Sequence, residues 1–377
     1  LTKHNFFNNL NNEEIMKNIL ITMILLGSLS VNAQSLSQMS RGNKFNPAIG
    51  LNALTLYRNG SRDIENDGFS LQEIELQFSS DVDAYFRAEA TIALHQEHSE
   101  EEEGSEEEHS HDFKIEPEEV FVETISIPNF TIKLGKFYAN FGKYNATHSH
   151  ALPFIYRGKV QEDMFGEEGL AEVGLGVSFL APTSWFSEVS VQALQPTNED
   201  LFGDSHHSMA YVLKWKNLWD LSDDLTLEWG ISGLSFSNNS HDSSSEDKTS
   251  LYGTDLTFKW RPIKDGKSSS FMWSTEFIHK NDKSGEDHDK NGGITSFVRY
   301  QMAQRWYAQA QYEFLGLGKD EQKKDVNSYT ALLAFIPTEF SSVRAQYDSI
   351  HDGADKPENR ISLQLNISIG AHPAHVY

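Results

Sequence analysis

The chain has 377 residues, enough for two ordinary soluble domains or for one large barrel. With 38% hydrophobic residues and a mean hydropathy of −0.50, a helical membrane bundle is excluded, whereas a barrel that turns only every second side chain to lipid is compatible. The absence of cysteine removes disulfide scaffolds, thiolate metal sites, cysteine nucleophiles and a lipid anchor on cysteine, and the net charge of −24 opposes nucleic acid as a partner because phosphates would be repelled.

Residues 19–31 form a single continuous apolar run, too short to cross a bilayer as a helix. Met16 and Lys17 precede it, and Val31-Asn32-Ala33 closes it as a small-x-small cleavage site, so 16–33 reads as a secretory signal. Residues 1–15 then read as translation begun upstream of the true start. Residues 34–44 read as a polar lead-in expected in the periplasm, and 45–377 are expected to form one outer-membrane β-barrel, on the pattern that follows.

Beyond the lead-in, apolar and polar residues alternate with the two-residue period of a strand. The pattern predicts strands at 47–58, 69–79, 84–94, 113–124, 130–141, 170–180, 185–194, 209–216, 225–236, 250–260, 269–280, 294–302, 305–314, 328–336, 340–349 and 360–369. Residues 217–224 read as a turn. The last segment shows the rule plainly: Ile361, Leu363, Leu365, Ile367 and Ile369 alternate with Arg360, Ser362, Gln364, Asn366 and Ser368. About sixteen strands of roughly ten residues, joined alternately by long polar loops and short turns, specify an all-β fold: a transmembrane antiparallel up-and-down barrel with long extracellular loops, short periplasmic turns and both termini in the periplasm. Tyr57, Trp185, Trp215, Trp229, Trp260, Trp306 and Tyr347 lie near strand ends and fit interfacial girdles. A soluble β-sandwich is the competing architecture. The secretory signal, and apolar faces on so many consecutive strands without a complementary layer, oppose it.

The alternation predicts a lumen lined by Glu73, Glu75, Arg87, Glu89, Glu119, Glu123, Lys133, Arg299 and Arg344, together with Glu188, Lys214, Glu228, Asp255, Lys259, Glu313 and Arg360. A barrel of this size encloses water, so ionised groups are tolerated there. The acidic set falls mostly on strands two to four and the basic set later, which suits a transverse field across a pore. Cross-strand neutralisation, for example of Arg87 by Glu73 or Glu75, is the plainer alternative.

The most distinctive chemistry lies in loops. The third long loop, 142–169, carries the apolar string Leu152-Pro153-Phe154-Ile155-Tyr156, which is poorly suited to water and is expected, by resemblance to sixteen-stranded porins, to fold into the barrel. His95, His98, His109, His111 and Asp112 flank two glutamate runs, and His148, His150, His206 and His207 fall in other loops expected to face outside. Imidazole and carboxylate are the ligands left to a cysteine-free protein for zinc and similar ions. No four-ligand spacing is fixed, so weak capture of Zn2+ or another divalent cation stands beside a merely solvated acidic loop. His95-Gln96-Glu97-His98 does not have the helical spacing of metalloprotease motifs.

Four strings carry a family resemblance: Phe45-Asn46-Pro47-Ala48-Ile49-Gly50-Leu51-Asn52-Ala53, Gly135-Lys136-Phe137-Tyr138-Ala139, His148-Ser149-His150-Ala151-Leu152-Pro153-Phe154 and Gly166-Glu167-Glu168-Gly169-Leu170. Together they resemble Gram-negative outer-membrane proteins labelled zinc-regulated TonB-dependent outer-membrane receptors, across most of the mature chain. The resemblance implies an outer-membrane barrel connected with metal supply. Such receptors carry a plug ahead of a larger barrel, whereas the first strand here begins soon after the expected cleavage site, so the expectation is porin-like and without a plug.

Three functions follow. The first is a porin-like channel that captures or admits divalent metal through His/Glu-rich loops, with lipid, small solutes or ions as partners, no required cofactor, and homotrimer formation left open. The second is a surface binding or adhesion protein anchored by the barrel. The third, an outer-membrane hydrolase, has no recognisable nucleophile motif, and a non-enzymatic role is expected.

Overall fold

The fold is seen in a computed structural model of the chain, which describes residues 47–62, 67–96, 113–203, 208–238, 247–283, 289–319 and 324–370. The expected signal segment, the lead-in and the glutamate runs lie outside the described residues. Sixteen strands follow one another: β1 (Ala48–Gly60), β2 (Gly68–Asp81), β3 (Phe86–Gln96), β4 (Phe113–Thr124), β5 (Phe130–Tyr138), β6 (Ala171–Leu180), β7 (Phe186–Gln195), β8 (Ala210–Ser222), β9 (Leu225–Asn238), β10 (Asp247–Trp260), β11 (Ser270–Asp282), β12 (Asp289–Ala303), β13 (Trp306–Leu315), β14 (Val326–Thr338), β15 (Ser341–His351) and β16 (Glu358–Gly370). Each pairs antiparallel with its sequence neighbours, and β1 pairs with β16 from Gly50 opposite Gly370 to Gly60 opposite Arg360, so the sheet closes into a barrel without an edge.

The predicted turn at 217–224 is instead the end of β8. The ladder to β9 continues through Leu218 opposite Glu228 and Trp219 opposite Leu227, and a register shift near Asp220 tightens it into Asp223-Asp224. Cross-strand pairing overrides the turn-like composition there.

The outer surface is an apolar belt: on β16, Ile361, Leu363, Leu365, Ile367 and Ile369 all point out, while Arg360, Ser362 and Gln364 are buried inside. In this belt four indole N–H groups are paired sideways. Trp185 donates to Asn217 (3.1 Å), Trp215 to Ser187 (3.0 Å), Trp229 to Thr254 (3.1 Å) and Trp273 to Ser296 (3.0 Å). Where hydrocarbon replaces water, such donors need a protein partner, and small polar residues on the neighbouring strand supply it.

The core lies inside the barrel. The third long loop turns inward and carries helix α1 (Lys159–Phe165), while the fourth carries the short helix α2 (Glu199–Phe202). Asn198 joins them: its side-chain Nδ2 donates to the Phe165 carbonyl at 3.0 Å, and its Oδ1 accepts from the Leu201 amide at 2.8 Å, capping α2. Val160, Met164 and Phe165 pack against wall residues such as Phe137, Leu194 and Ile278. Phe154 and Ile155 pack with Leu56, Phe297 and Leu332 as a second cluster.

The closing seam is clamped at the long-loop rim. Arg62 donates to both Asp352 oxygens, at 2.8 and 3.1 Å, and to the Lys356 carbonyl at 2.8 Å. The hydrogen bond from Arg62 holds the Asp352 carboxyl down at about 2. A folded value below the unfolded one of about 3.9 means that the clamp contributes fully above that value and is lost as pH falls through about 2. In thermal melts, Asp352→Asn is expected to lower the midpoint slightly at pH 7, less so in high salt, and to match the parent near pH 2.

Candidate functional site

The third loop crosses the lumen and is tied to walls all around it. From its first turn, the Lys143 amide donates to Glu276 on β11 at 2.6 Å and its ammonium to Glu228 on β9 at 2.6 Å. Further along, the Arg344 guanidinium of β15 donates to the Leu152 carbonyl at 2.8 Å, and the Ile155 amide donates to Gln346 at 2.8 Å. At α1, the Lys159 amide donates to Glu313 on β13 at 3.1 Å. Arg157 holds the loop to itself, donating to the carbonyls of Tyr144, Thr147, Glu167 and Glu168 at 3.1–3.3 Å. A guanidinium has the five donors this needs. Its burial pulls its pKa below the ordinary value.

The chemistry concentrates where this loop meets β2, β3 and β4. Glu73 and Glu75 project inward from β2, and His95 from β3. On β4 the register against β3 slips between Thr91 opposite Glu119 and Ile92 opposite Pro117, leaving Glu118 as an extra residue. This β-bulge turns Glu118 and Glu119 to the same side. The loop sets His148 between them: Nδ1 lies 3.0 Å from Glu118 Oε2, and Nε2 lies 3.0 Å from Glu119 Oε2. The His150 ring, stacked 5.8 Å from that of His148, places Nδ1 2.5 Å from Glu75 Oε2. His95 lies 3.9 Å from Glu73 and, through its other nitrogen, 3.9 Å from Glu168. Tyr138 caps the group, with its hydroxyl 3.3 Å from Glu118 and its amide donating to Glu119 at 3.1 Å.

Burial lowers the pKa of His148, but the hydrogen bonds to Glu118 and Glu119 and the charge of Glu75 outweigh it and hold it well above the ordinary value. His148 thus bridges the two carboxylates of the bulge through both of its ring nitrogens. Gly135 on β5 fits the bulge: its φ is +139°, and a Cβ there would press on the Val120 carbonyl and lie 2.6 Å from Phe121 Cα.

The structure brings together some of the residues that the alternation puts on the inner face and separates others. Glu73, Glu75 and Glu119 meet in the cluster. Arg87 lies opposite Asp81 and Glu123, near the short-turn rim, rather than level with Glu73 or Glu75. Glu89 accepts from Gln77 at 2.9 Å. Lys133 lies over the Phe121 ring at 3.8 Å, Arg299 donates to Gln309 at 2.8 Å, and Arg344 is held by Gln364 and the third loop. Of the histidines expected to face outside, His148 and His150 lie in the lumen, because the apolar string after them buries against the inner wall and draws them in. His95 belongs to β3 and faces inward, because its ladder continues to Lys114 opposite. His98, His109, His111, Asp112, His206 and His207 lie outside the described residues. Glu118 is missed by the alternation, since a bulge adds one residue without any sign in the residue types.

On the short-turn side of the cluster, the third loop leaves a cavity of about 480 Å3 along β3–β7. Glu89, Glu119, Glu123 and Glu188 line it with Lys133, an excess of negative charge.

No model of a known protein family matches the chain. An uncharacterized protein of Aquifex aeolicus (strain VF5) is 29% identical over 354 residues, covering 83% of this chain and 71% of its own length. Among solved structures, the trimer form of OmpT, an outer membrane protein of Vibrio cholerae, superposes with a TM-score of 0.55 at 8% identity, over 86% of this chain and 99% of that one. The outer membrane channel DcaP of Acinetobacter baumannii gives a TM-score of 0.55 at 12% identity, over 86% and 96%. The fold is thus a closed sixteen-strand barrel, shared with these outer-membrane proteins.

Replacing His148 with Ala leaves Glu118 and Glu119 facing each other without the ring that bridges them. The variant is expected to lose about 3 kcal/mol of stability and to expose the 142–169 segment to protease. Limited proteolysis and denaturant melts of parent and variant measure both.

Proposed function

We propose that the chain is an outer-membrane porin-type channel, passing small solutes along the unfilled side of its lumen and favouring cations. The observation that carries this reading is the cavity beside the third loop, with its four carboxylates against one ammonium. Fixed charge at a narrow passage raises the local concentration of the opposite ion and sets selectivity. The apolar outer belt supports a bilayer setting, since exposing it to water would cost about 1.5–3 kcal/mol per large side chain. Among the described residues it is the third loop that narrows the lumen. Zn2+ capture at the surface, by His98, His109, His111, Asp112, His206 and His207, belongs to the same reading as a means of concentrating the ion at the mouth. The trimer is the assembly we expect, as recorded for the V. cholerae neighbour. The dense tethering of the third loop to opposite walls favours one other reading, a sealed barrel serving as an anchor for a surface binding protein.

Planar-bilayer recordings of the purified protein decide between them. The channel reading expects discrete conductance with a reversal potential displaced toward cations, reduced in a Glu89→Gln/Glu123→Gln variant. A silent bilayer, with the protein folded and inserted, would support the anchor.

A further inference from the structure

We propose that the cluster at β2, β4 and the third loop is a lumenal binding site for one divalent transition-metal ion of the zinc class, built from Glu73, Glu75, Glu118, His95, His148 and His150. It is distinct from the surface loops, and it rests on the channel reading only for how the ion arrives. Ligand atoms within 4.8 Å of one another form three overlapping triads: Glu73 with His95 and Glu118, Glu73 with Glu75 and His150, and Glu75 with Glu118 and His148. Glu75 belongs to two of them, so an ion seated on Glu75 can recruit His148 and Glu118 from one side and His150 and Glu73 from the other.

Two observations separate this from a plain salt-bridge network. Glu73 is 3% exposed and has a side-chain hydrogen bond from Ser149, yet its Oε1 has no hydrogen-bond partner, which is costly unless something else takes that oxygen's lone pairs. Four carboxylates, Glu73, Glu75, Glu118 and Glu119, also converge on three imidazoles, with the Arg157 guanidinium near Glu73 and Glu118, so the cluster holds more acidic groups than one-to-one pairing with its histidines would use. A divalent ion supplies two charges at one point and accepts neutral imidazole. Zinc at about 2.0–2.1 Å from nitrogen or oxygen sets neighbouring ligands roughly 3.3 Å apart. The 3.0 Å from His148 to Glu118 and 3.6 Å from His148 to Glu75 already bracket that spacing. Mixed His and carboxylate ligands without sulfur suit Zn2+ and its neighbours rather than Ca2+ or Mg2+, which prefer oxygen alone. Because two of the imidazoles ride on the third loop and the carboxylates on β2 and β4, a bound ion would tie the loop to the wall beside the cavity.

The test is Zn2+ titration of the full chain, refolded in detergent and freed of metal, with X-ray absorption at the zinc edge. One tight Zn2+ per chain with nitrogen and oxygen neighbours and imidazole scattering is expected, and it persists when residues 97–112 are deleted. Glu75→Gln is expected to weaken binding at least tenfold with its strand signature in circular dichroism unchanged; if that variant fails to fold, Glu73→Gln carries the same expectation. Loss of the tight site on deleting 97–112, unaltered affinity in a folded Glu75→Gln or Glu73→Gln variant, or a zinc edge without imidazole would overturn the proposal. Tight lumenal Zn2+ in a protein that conducts nothing would uphold the site and overturn the channel reading.

Discussion

Every backbone N–H and C=O of a strand must find a partner, and in this chain the pairing of β1 with β16 is what makes that possible for all sixteen strands at once. Without that seam, two long edges would lie open beside an apolar face. Closure fixes the inside and outside of every strand, because the two-residue period leaves no third direction. It also creates a space wider than the wall side chains can fill. Most of what is specific to this protein is its use of that space.

The third loop fills much of it, and the inner wall has been shaped to receive it. In the half of the barrel near the long loops, strands turn apolar residues inward as well as outward: Leu54 and Leu56 on β1, Leu234 and Phe236 on β9, Ile278 on β11. These inner faces meet α1 and the 154–155 segment and bury them, which in turn delivers His148 and His150 to the acidic wall. The polar contacts to Glu276, Glu313 and Gln346 then fix the loop's position rather than supply its main driving force.

The acidic wall itself depends on a local irregularity. An unbroken β4 would send Glu118 outward into the apolar belt, where an ionised carboxylate would be costly. The bulge brings it in beside Glu119, and the resulting pair is tolerable because the His148 ring sits between the two, within hydrogen-bond distance of both. Loop placement, strand irregularity and charge balance are therefore one coupled arrangement. The basic groups on the far side do not simply oppose it, since Lys143 is already engaged by Glu228, and Arg344 by Gln364 and the loop.

Alternation alone sufficed for the number of strands, their faces and the long-short rhythm of connections, because in a barrel each residue's side is decided locally by the pleat. The pleat puts residues such as Glu73, Glu75 and Arg344 on the inner face, and the resemblance to sixteen-stranded porins, together with the apolarity of 152–156, points to its infolding. What the residue string does not contain is anything set by partners distant in the chain. The continuation of β8 through 217–222, the bulge at Glu118, and the meeting of His148 and His150 with carboxylates some thirty and seventy-five positions away all depend on which strands and loops lie side by side once the wall has closed. Register and loop placement are properties of the closed sheet, and only the tertiary structure decides them.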